Sequence, residues 1–118
     1  MSRDRTTPQP EDHLPLSSAH FHMLLALTEG PRHGYGVKHE VEERTDGRIR
    51  LAAGSLYEGI QRLESHGLIE EADAPADPET RTSSRQRFYG ITAFGRQVLR
   101  CELERLEADL AIARARVG

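Results

Sequence analysis

The stretch from residue 54 to residue 69 constrains the fold of this 118-residue chain more than any other. Its apolar residues Leu56, Ile60 and Leu63 are four and three positions apart, so an α-helix would place them on one buried side. The polar residues between them would then face outward: Ser55, Tyr57, Glu58, Gln61 and Arg62. Gly67 supplies the left-handed residue that commonly ends a helix, and an apolar, strand-like pair follows it directly. A short helix that is stopped by glycine and followed by a strand is typical of the recognition helix in a winged helix-turn-helix.

The rest of the chain has the periodicity of further helices and short strands. We expect helices over residues 17–29, 35–44 and 93–116, and strands over residues 48–51, 68–71 and 85–91. The segment around Arg32 and His33 is interpreted as a polar turn, and Thr92 as the N-cap of the last helix. The last two strands are joined by a loop of about 13 residues and form a candidate wing.

The last predicted helix carries an apolar seam. Its members recur at alternating spacings of four and three: Leu99, Leu103, Leu106, Leu110, Ala113 and Val117. This is the a/d pattern of a coiled coil, but it covers fewer than three heptads, too few to hold two chains alone. We therefore expect the seam to form a homodimer interface together with other helices, the first helix in particular. The alternative is that this helix lies only on its own domain.

These patterns divide the chain into three segments. Residues 1–14 contain two prolines and many polar residues without periodicity, so we expect a disordered leader. Residues 15–92 are expected to form the winged helix-turn-helix, and residues 93–118 the dimerisation helix. The predicted fold class is therefore mainly α with a small β-wing.

The composition limits the possible function classes. No apolar run approaches the roughly 20 residues that span a bilayer, so we expect a cytoplasmic protein. The single cysteine, Cys101, excludes an internal disulfide framework and a cysteine-based zinc site. The six histidines are not completed into a metal site by carboxylate or cysteine spacing. Because there is also no nucleophile elbow, phosphate loop or paired-carboxylate arrangement, we expect neither an enzyme nor a cofactor.

The charge pattern matters more than the net charge of −3, which by itself would oppose binding to nucleic acid. Every charged residue from Glu70 to Glu79 is acidic, and every charged residue from Arg81 to Arg96 is basic. Alternation along the predicted strand 85–91 places Arg85 and Arg87 on one face. A wing strand beside a recognition helix commonly lies along the phosphates or in the minor groove, so both arginines are candidate DNA contacts.

Three groups of short motifs follow one another along the chain. They are Gly30-Pro31-Arg32-His33-Gly34-Tyr35, then Gly54-Ser55-Leu56-Tyr57 with Arg62-Leu63-Glu64 and Gly67-Leu68-Ile69, then Phe88-Tyr89 with Ile91-Thr92 and Gly95-Arg96. In this order, over about residues 17–100, they resemble the PadR family of bacterial transcriptional regulators, and the single C-terminal helix resembles its shorter branch. The resemblance implies a winged helix-turn-helix that dimerises through its C-terminal helix and binds palindromic promoter DNA. It also implies a protein that usually represses and is often released by a small-molecule effector.

The resemblance further implies DNA contacts near two helix starts. It places Tyr35 at the start of the second helix, and Ser55 and Tyr57 at the N-terminal end of the recognition helix. The chain departs from the family pattern where a serine and a proline usually precede the glycine. Ser55 with Glu58 three residues later forms a possible capping box, which would start the helix at Ser55 and make its hydroxyl structural.

Two further residues of the recognition helix are candidates for reading bases. Arg62 can contact guanine and Gln61 adenine at their edges in the major groove. For Arg62 the alternative is an ion pair with Glu58 four residues earlier, and for Gln61 it is a solvated surface position. The acidic net charge and Glu58 also favour an alternative function, a winged-helix protein-interaction module without sequence-specific DNA binding.

Overall fold

The computed structural model describes residues 8–74 and 87–118. The elements follow in chain order: a 3₁₀ helix Pro10–His13, α1 Ser18–Ala26, β1 Arg32–His33, α2 Gly34–Arg44, α3 Ala53–Ser65, β2 Ile69–Ala72, β3 Phe88–Ile91 and α4 Ala93–Val117. The three strands form one antiparallel sheet in the order β1-β3-β2. This confirms the predicted mainly α, winged helix-turn-helix architecture with a long C-terminal helix.

The core forms where α1 meets α2 and α4. Leu24 of α1, Val41 of α2 and Val98 of α4 are all fully buried. Each such side chain contributes roughly 1.5–3 kcal/mol by leaving water. Ser17 caps α1 by accepting a hydrogen bond from the His20 N–H (3.1 Å), so this helix enters the core at a fixed point.

α3 buries the predicted apolar side. Leu56, Ile60 and Leu63 all lie in the core. After Ser65 the chain reaches Gly67 at φ +79°, and the Leu68 N–H donates to the Leu63 carbonyl over 2.9 Å. The predicted glycine stop is therefore confirmed, because this bond satisfies a carbonyl that the helix leaves free.

The structure excludes the capping box that was considered at the start of α3. The helix begins at Ala53, and its N-cap, Ala52, makes no side-chain hydrogen bond. The first helical bond runs from the Leu56 N–H to the Ala52 carbonyl over 2.8 Å. Ser55 lies inside the first turn, so it is not the N-cap and forms no capping box with Glu58.

The third strand of the sheet comes from a different segment than predicted. Arg32–His33, interpreted as a turn, pairs with β3 in the register Arg32 to Tyr89 and His33 to Phe88. The strand predicted over residues 48–51 is wrong, because the Arg48 and Ile49 N–H groups bond back to Thr45 instead. The alternation in that segment reflects the burial of Leu51 and the partial burial of Ile49, not strand pairing.

The first turn of α4 is joined to the end of α3. As predicted, Thr92 is the N-cap: its Oγ1 accepts from the Gly95 N–H over 2.9 Å. The same hydroxyl lies 2.6 Å from the Gly67 carbonyl oxygen, to which it donates. The Leu68 carbonyl accepts from the Thr92 N–H over 3.0 Å. The end of α3, the root of the wing and the start of α4 are thus held at one junction.

Residues 8–14 do not follow the predicted disordered leader; residues 1–7 lie outside the described part of the chain. The 3₁₀ helix packs on α4, where the His13 ring meets Phe94 edge-on with centroids 5.5 Å apart. The buried carboxylate of Glu102 accepts from the Leu16 N–H (3.2 Å) and from Arg105 Nε (2.7 Å). These hydrogen bonds hold the pKa of Glu102 below its usual range, the bond from Arg105 being the main cause. The composition of residues 8–14 could not indicate this ordered structure, because it depends on contacts with α4, which lies about 80 residues further along the chain.

None of the helices in residues 8–74 and 87–118 has the length and apolar character needed to cross a membrane.

Candidate nucleic-acid interface

The side of α3 that faces away from the core forms the candidate interface. Every residue predicted to face outward is exposed: Ser55, Tyr57, Glu58, Gln61 and Arg62. Gln61 makes no side-chain hydrogen bond with any residue in the described ranges, so its amide is available to a partner. An amide and a guanidinium on one exposed helix face are the groups that form bidentate contacts with adenine and guanine.

The N-terminal turn of α3 is open to solvent. Ala53, Gly54 and Ser55 are all exposed, and a Cβ added at Gly54 would meet nothing within 4 Å. The N–H groups of this turn precede the first helical hydrogen bond, so they lack partners within the helix. Such a turn can receive a phosphate group, because both its N–H groups and the helix dipole favour an anion.

The start of α2 lies against α3 through a tyrosine ring. A Cβ added at Gly34 would lie 3.2 Å from Cε1 of Tyr57, so this ring covers the first turn of α2. Tyr57 is nevertheless 59% exposed, and Tyr35, next to Gly34, is 63% exposed. The Tyr35 ring is parallel to those of His33 and His39, with centroids 6.5 and 6.4 Å away. Both tyrosines are therefore exposed near the place where the start of α2 meets α3.

Two of the candidate arginines form ion pairs. Arg62 Nη2 lies 3.9 Å from Glu58 Oε2, which is the alternative considered for this residue. Arg87 Nη1 lies 3.4 Å from Glu71 Oε2 on β2, a pairing that the sequence pattern did not indicate. All four side chains are more than half exposed, so each pair contributes at most about 1 kcal/mol. A phosphate can therefore replace either carboxylate at small cost.

The wing is described only in part. Arg87 is exposed just before β3, whereas Arg85 lies outside the described residues. β3 itself begins at Phe88, three residues later than predicted, and Tyr89 is buried. Of the predicted pair of wing arginines, the structure therefore places one.

Two further basic residues were missed by the sequence pattern. Arg48 and Arg50 are exposed in the connection that leads into Ala52, the N-cap of α3. Arg50 is oriented by a hydrogen bond from its Nε to the Gly47 carbonyl over 3.2 Å. They were overlooked because the segment was assigned to a half-buried strand. Two arginines directly before the predicted recognition helix are a sequence signal that could have indicated a DNA contact.

The apolar seam of α4 separates into a buried start and an exposed remainder. Leu99 lies in the core of its own chain. Beyond it, the side chains of the seam are exposed: Leu103, Leu106, Leu110, Ala113 and Val117. Leu110 is 51% exposed, and Ile112 nearby is 49% exposed. A row of exposed leucines on a helix is typical of a surface that packs against another molecule.

The remaining candidates for chemistry are weak. Within residues 8–74 and 87–118, no three histidine, cysteine or acidic side chains are grouped to hold a metal ion. Cys101 is partly buried, and its Sγ lies 4.0 Å from Glu11 Oε2. Burial and, after it, this carboxylate raise the pKa of the thiol, which makes it less reactive.

Comparison with known proteins shows which family the sequence matches. Residues 23–101 match the family model described as the transcriptional regulator PadR-like family. An uncharacterised 37.1 kDa protein in a transposon of Streptomyces fradiae is 34% identical over 80 residues, which are 68% of this chain. The match spans only 20% of that relative's length.

Solved structures share the fold. A PadR family transcription regulator from Clostridium difficile superposes with a TM-score of 0.70 at 21% identity, covering 86% of this chain and 100% of that one. PadR of Bacillus subtilis, solved in complex with operator DNA, superposes with a TM-score of 0.61 at 20% identity. That superposition covers 75% of this chain and 48% of the Bacillus protein.

Proposed function

Because the chain belongs to the PadR-like family of transcriptional regulators, we propose that it binds double-stranded DNA and represses transcription from a palindromic promoter site as a homodimer. The family assignment agrees with the prediction of a regulator and not an enzyme. The observation that carries the proposal is the exposed side of α3: its N-terminal turn is open to solvent, and the exposed Tyr57 ring that follows lies against Gly34 at the start of α2. In this proposal the protein acts in the cytoplasm, where bacterial promoters are.

Each part of the surface has a separate role in the proposed complex. The N-terminal turn of α3, with Ser55 and the two tyrosine hydroxyls, binds phosphate oxygens and fixes the position of the helix. Gln61 and Arg62 lie further along the helix and read base edges in the major groove. Arg87 binds backbone phosphate beside the groove, after it leaves Glu71. This division separates residues that provide affinity from residues that provide specificity.

The homodimer supplies the symmetry of the site. The exposed part of the α4 seam, from Leu103 to Val117, packs against the same surface of a second copy. Two copies of α3 then enter major grooves one helical turn apart, which is about 34 Å. A palindrome with that half-site spacing is the DNA that such a dimer recognises.

The direct test is binding to the DNA upstream of the protein's own gene. Fluorescence anisotropy should give at least 1,000-fold tighter binding to one upstream duplex than to a scrambled duplex of equal length and composition, at about 150 mM salt. Equal, weak binding to both duplexes would contradict the proposal. It would instead support the interaction-module alternative, which the two exposed ion pairs at Glu58 and Glu71 favour.

Arg62→Ala and Gln61→Ala are expected to reduce sequence preference. Each removes a contact to a base edge, which contributes about 1–3 kcal/mol of discrimination. The ratio of operator to scrambled affinity should therefore fall about 5- to 100-fold in anisotropy titrations. An unchanged ratio in both variants would remove these two residues from the proposed contact surface.

Arg87→Ala is expected to weaken binding to every duplex alike. The change removes one phosphate contact, so the slope of log affinity against log salt concentration should decrease by about one. Glu71→Gln is the matched variant with the opposite sign, because it frees Arg87 from its 3.4 Å ion pair and should tighten binding to all duplexes. If Arg87→Ala left the salt slope unchanged, the wing would not contact phosphate through this residue.

A further inference from the structure

A cavity of about 380 Å³ lies between the N-terminal segment, α1 and α3. Three of the chain's six histidines line it. His13 comes from the 3₁₀ helix, His20 from α1 and His66 from the end of α3, and Arg62 of α3 lies beside them. The cavity thus collects nitrogen donors from three separate elements.

These donors lack partners within the described residues. No ring nitrogen of His13, His20 or His66 makes a hydrogen bond with residues 8–74 or 87–118. The rings of His13 and His66 lie 5.3 Å apart. The guanidinium of Arg62 is 3.9 Å from the nearest carboxylate oxygen, that of Glu58, which is beyond hydrogen-bond distance. Four nitrogen-bearing side chains therefore line one cavity, and none of them uses its donors in a hydrogen bond with the described residues.

The lining of the cavity includes the permanently charged Arg62 and the acidic Asp12. Burial lowers the pKa of His20, and the positive charges of Arg62 and His66 lower that pKa further. Glu58 acts in the opposite direction, and Asp12, also in the lining, already accepts a hydrogen bond from the Gln9 N–H over 3.1 Å. The lowered pKa favours the neutral His20 ring, which can still donate one N–H to an anion, and Arg62 supplies a positive charge beside it.

We propose that this cavity binds a phosphate group through His13, His20, His66 and Arg62. A phosphate presents acceptor oxygens in several directions, which suits donors that come from three elements around one space. A carboxylate presents only two oxygens in one plane and would leave donors unused. The phosphate belongs either to the DNA backbone or to a free phosphorylated molecule, because both present the same chemistry.

Arg62 connects this site with the proposed recognition surface. Arg62 lines the cavity and is also exposed on the outward side of α3. A free phosphate in the cavity would draw Arg62 away from base edges and weaken operator binding. This consequence rests on the proposed DNA binding, whereas occupancy of the cavity does not.

The test uses the imidazole NMR signals of the full chain, titrated with inorganic phosphate in the absence of DNA. The signals of His13, His20 and His66 should shift together along one saturating curve. The other three histidines serve as internal controls and should move little: His22, His33 and His39. Equal shifts of all six signals would indicate general ionic screening and would overturn the site.

Variants distinguish a built site from surface charge. His66→Gln changes an exposed residue at the end of α3, and His39→Gln changes an exposed residue on α2. His66→Gln should weaken phosphate binding about tenfold, because one charge-assisted hydrogen bond is lost, and His39→Gln should leave it unchanged. Circular dichroism confirms that both variants fold. Equal affinity in the two variants would contradict the proposal.

A second titration separates the two sources of phosphate. If the backbone of DNA occupies the cavity, a short duplex of unrelated sequence should shift the same three histidine signals at low salt. If a free molecule occupies it, inorganic phosphate or a sugar phosphate should shift them and the duplex should not. Shifts with neither would refute the site, even if operator binding is found. If phosphate shifts the three signals but no operator is found, the cavity site is still supported and only the proposed DNA binding fails.

Discussion

Replacing Leu106 and Leu110 together by glutamate is expected to convert the dimer into single chains and to abolish detectable operator binding. Both side chains are exposed in the single chain, at 38% and 51%, so the double variant should fold normally. In a dimer the two changes remove four leucines from the interface. Because these side chains are at most about half exposed in the single chain, each contributes roughly half of the 1.5–3 kcal/mol of a full burial, about 0.7–1.5 kcal/mol. The two changes also place like charges opposite one another. The dimer dissociation constant should therefore rise by at least about 100-fold.

The affinity for the operator should fall when the dimer dissociates. A single chain engages one half-site and loses the effective concentration that the linked second half-site provides, which is worth about 100- to 10,000-fold. Sedimentation of the variant and of the original chain at the same concentration gives the mass, and anisotropy gives the affinity.

The matched control adds the same charge on the opposite side of the helix. Ala108 and Ala115 are exposed, lie seven residues apart, and fall outside the seam. Ala108→Glu combined with Ala115→Glu should leave both the mass and the operator affinity close to those of the original chain. A dimer that survives the leucine changes, or an original chain that sediments as a monomer, would show that α4 does not hold two copies together.

Gly95→Ala is expected to destabilise the fold by about 3 kcal/mol, the upper part of the range for overpacking. A Cβ at this position would lie within van der Waals overlap of two groups, 2.2 Å from the Leu68 carbonyl oxygen and 2.8 Å from Ile91 Cγ1. The carbonyl cannot move freely, because it accepts a hydrogen bond from the Thr92 N–H over 3.0 Å. The strain therefore falls on the junction of α3, the wing and α4.

Gly54→Ala is the matched control for this change. Gly54 also lies in the first turn of a helix, but an added Cβ there meets nothing within 4 Å. Alanine should therefore stabilise the fold by about 0.5–1 kcal/mol. Urea unfolding at one fixed protein concentration measures both effects. A Gly95→Ala variant within about 0.5 kcal/mol of the original chain would mean that the junction is not tightly packed.

The helices could be predicted from the sequence because their signals are local. The buried side of α3 repeats within one helix, and the stop at Gly67 depends on one residue and its neighbours. Thr92 as the N-cap of α4 is equally local. The exposure of Gln61 and Arg62 followed directly from this periodicity, so much of the recognition surface was already determined by the pattern of one helix.

What was missed depends on distant partners. Arg32–His33 is a strand only because an edge of β3 is available more than fifty residues later. The order of residues 8–14 depends in part on Glu102, which lies 86 positions beyond Leu16. The ion pair of Arg87 with Glu71 requires the pairing of β2 and β3. Periodicity within a short window carries no information about such contacts, and the histidine cavity went unrecognised for the same reason.

The junction at Thr92 couples the orientation of α4 to that of α3. Because the helix start is bonded directly to the end of α3 through Gly67 and Leu68, the two cannot tilt independently. α4 has 25 residues and is therefore about 37 Å long. A tilt of about 10° over that length displaces the far end by about 6 Å, which is more than one base-pair rise of 3.4 Å. In the proposed dimer, small changes in the angle at which the two α4 helices cross would thus decide whether both halves of a palindromic operator can be bound at once.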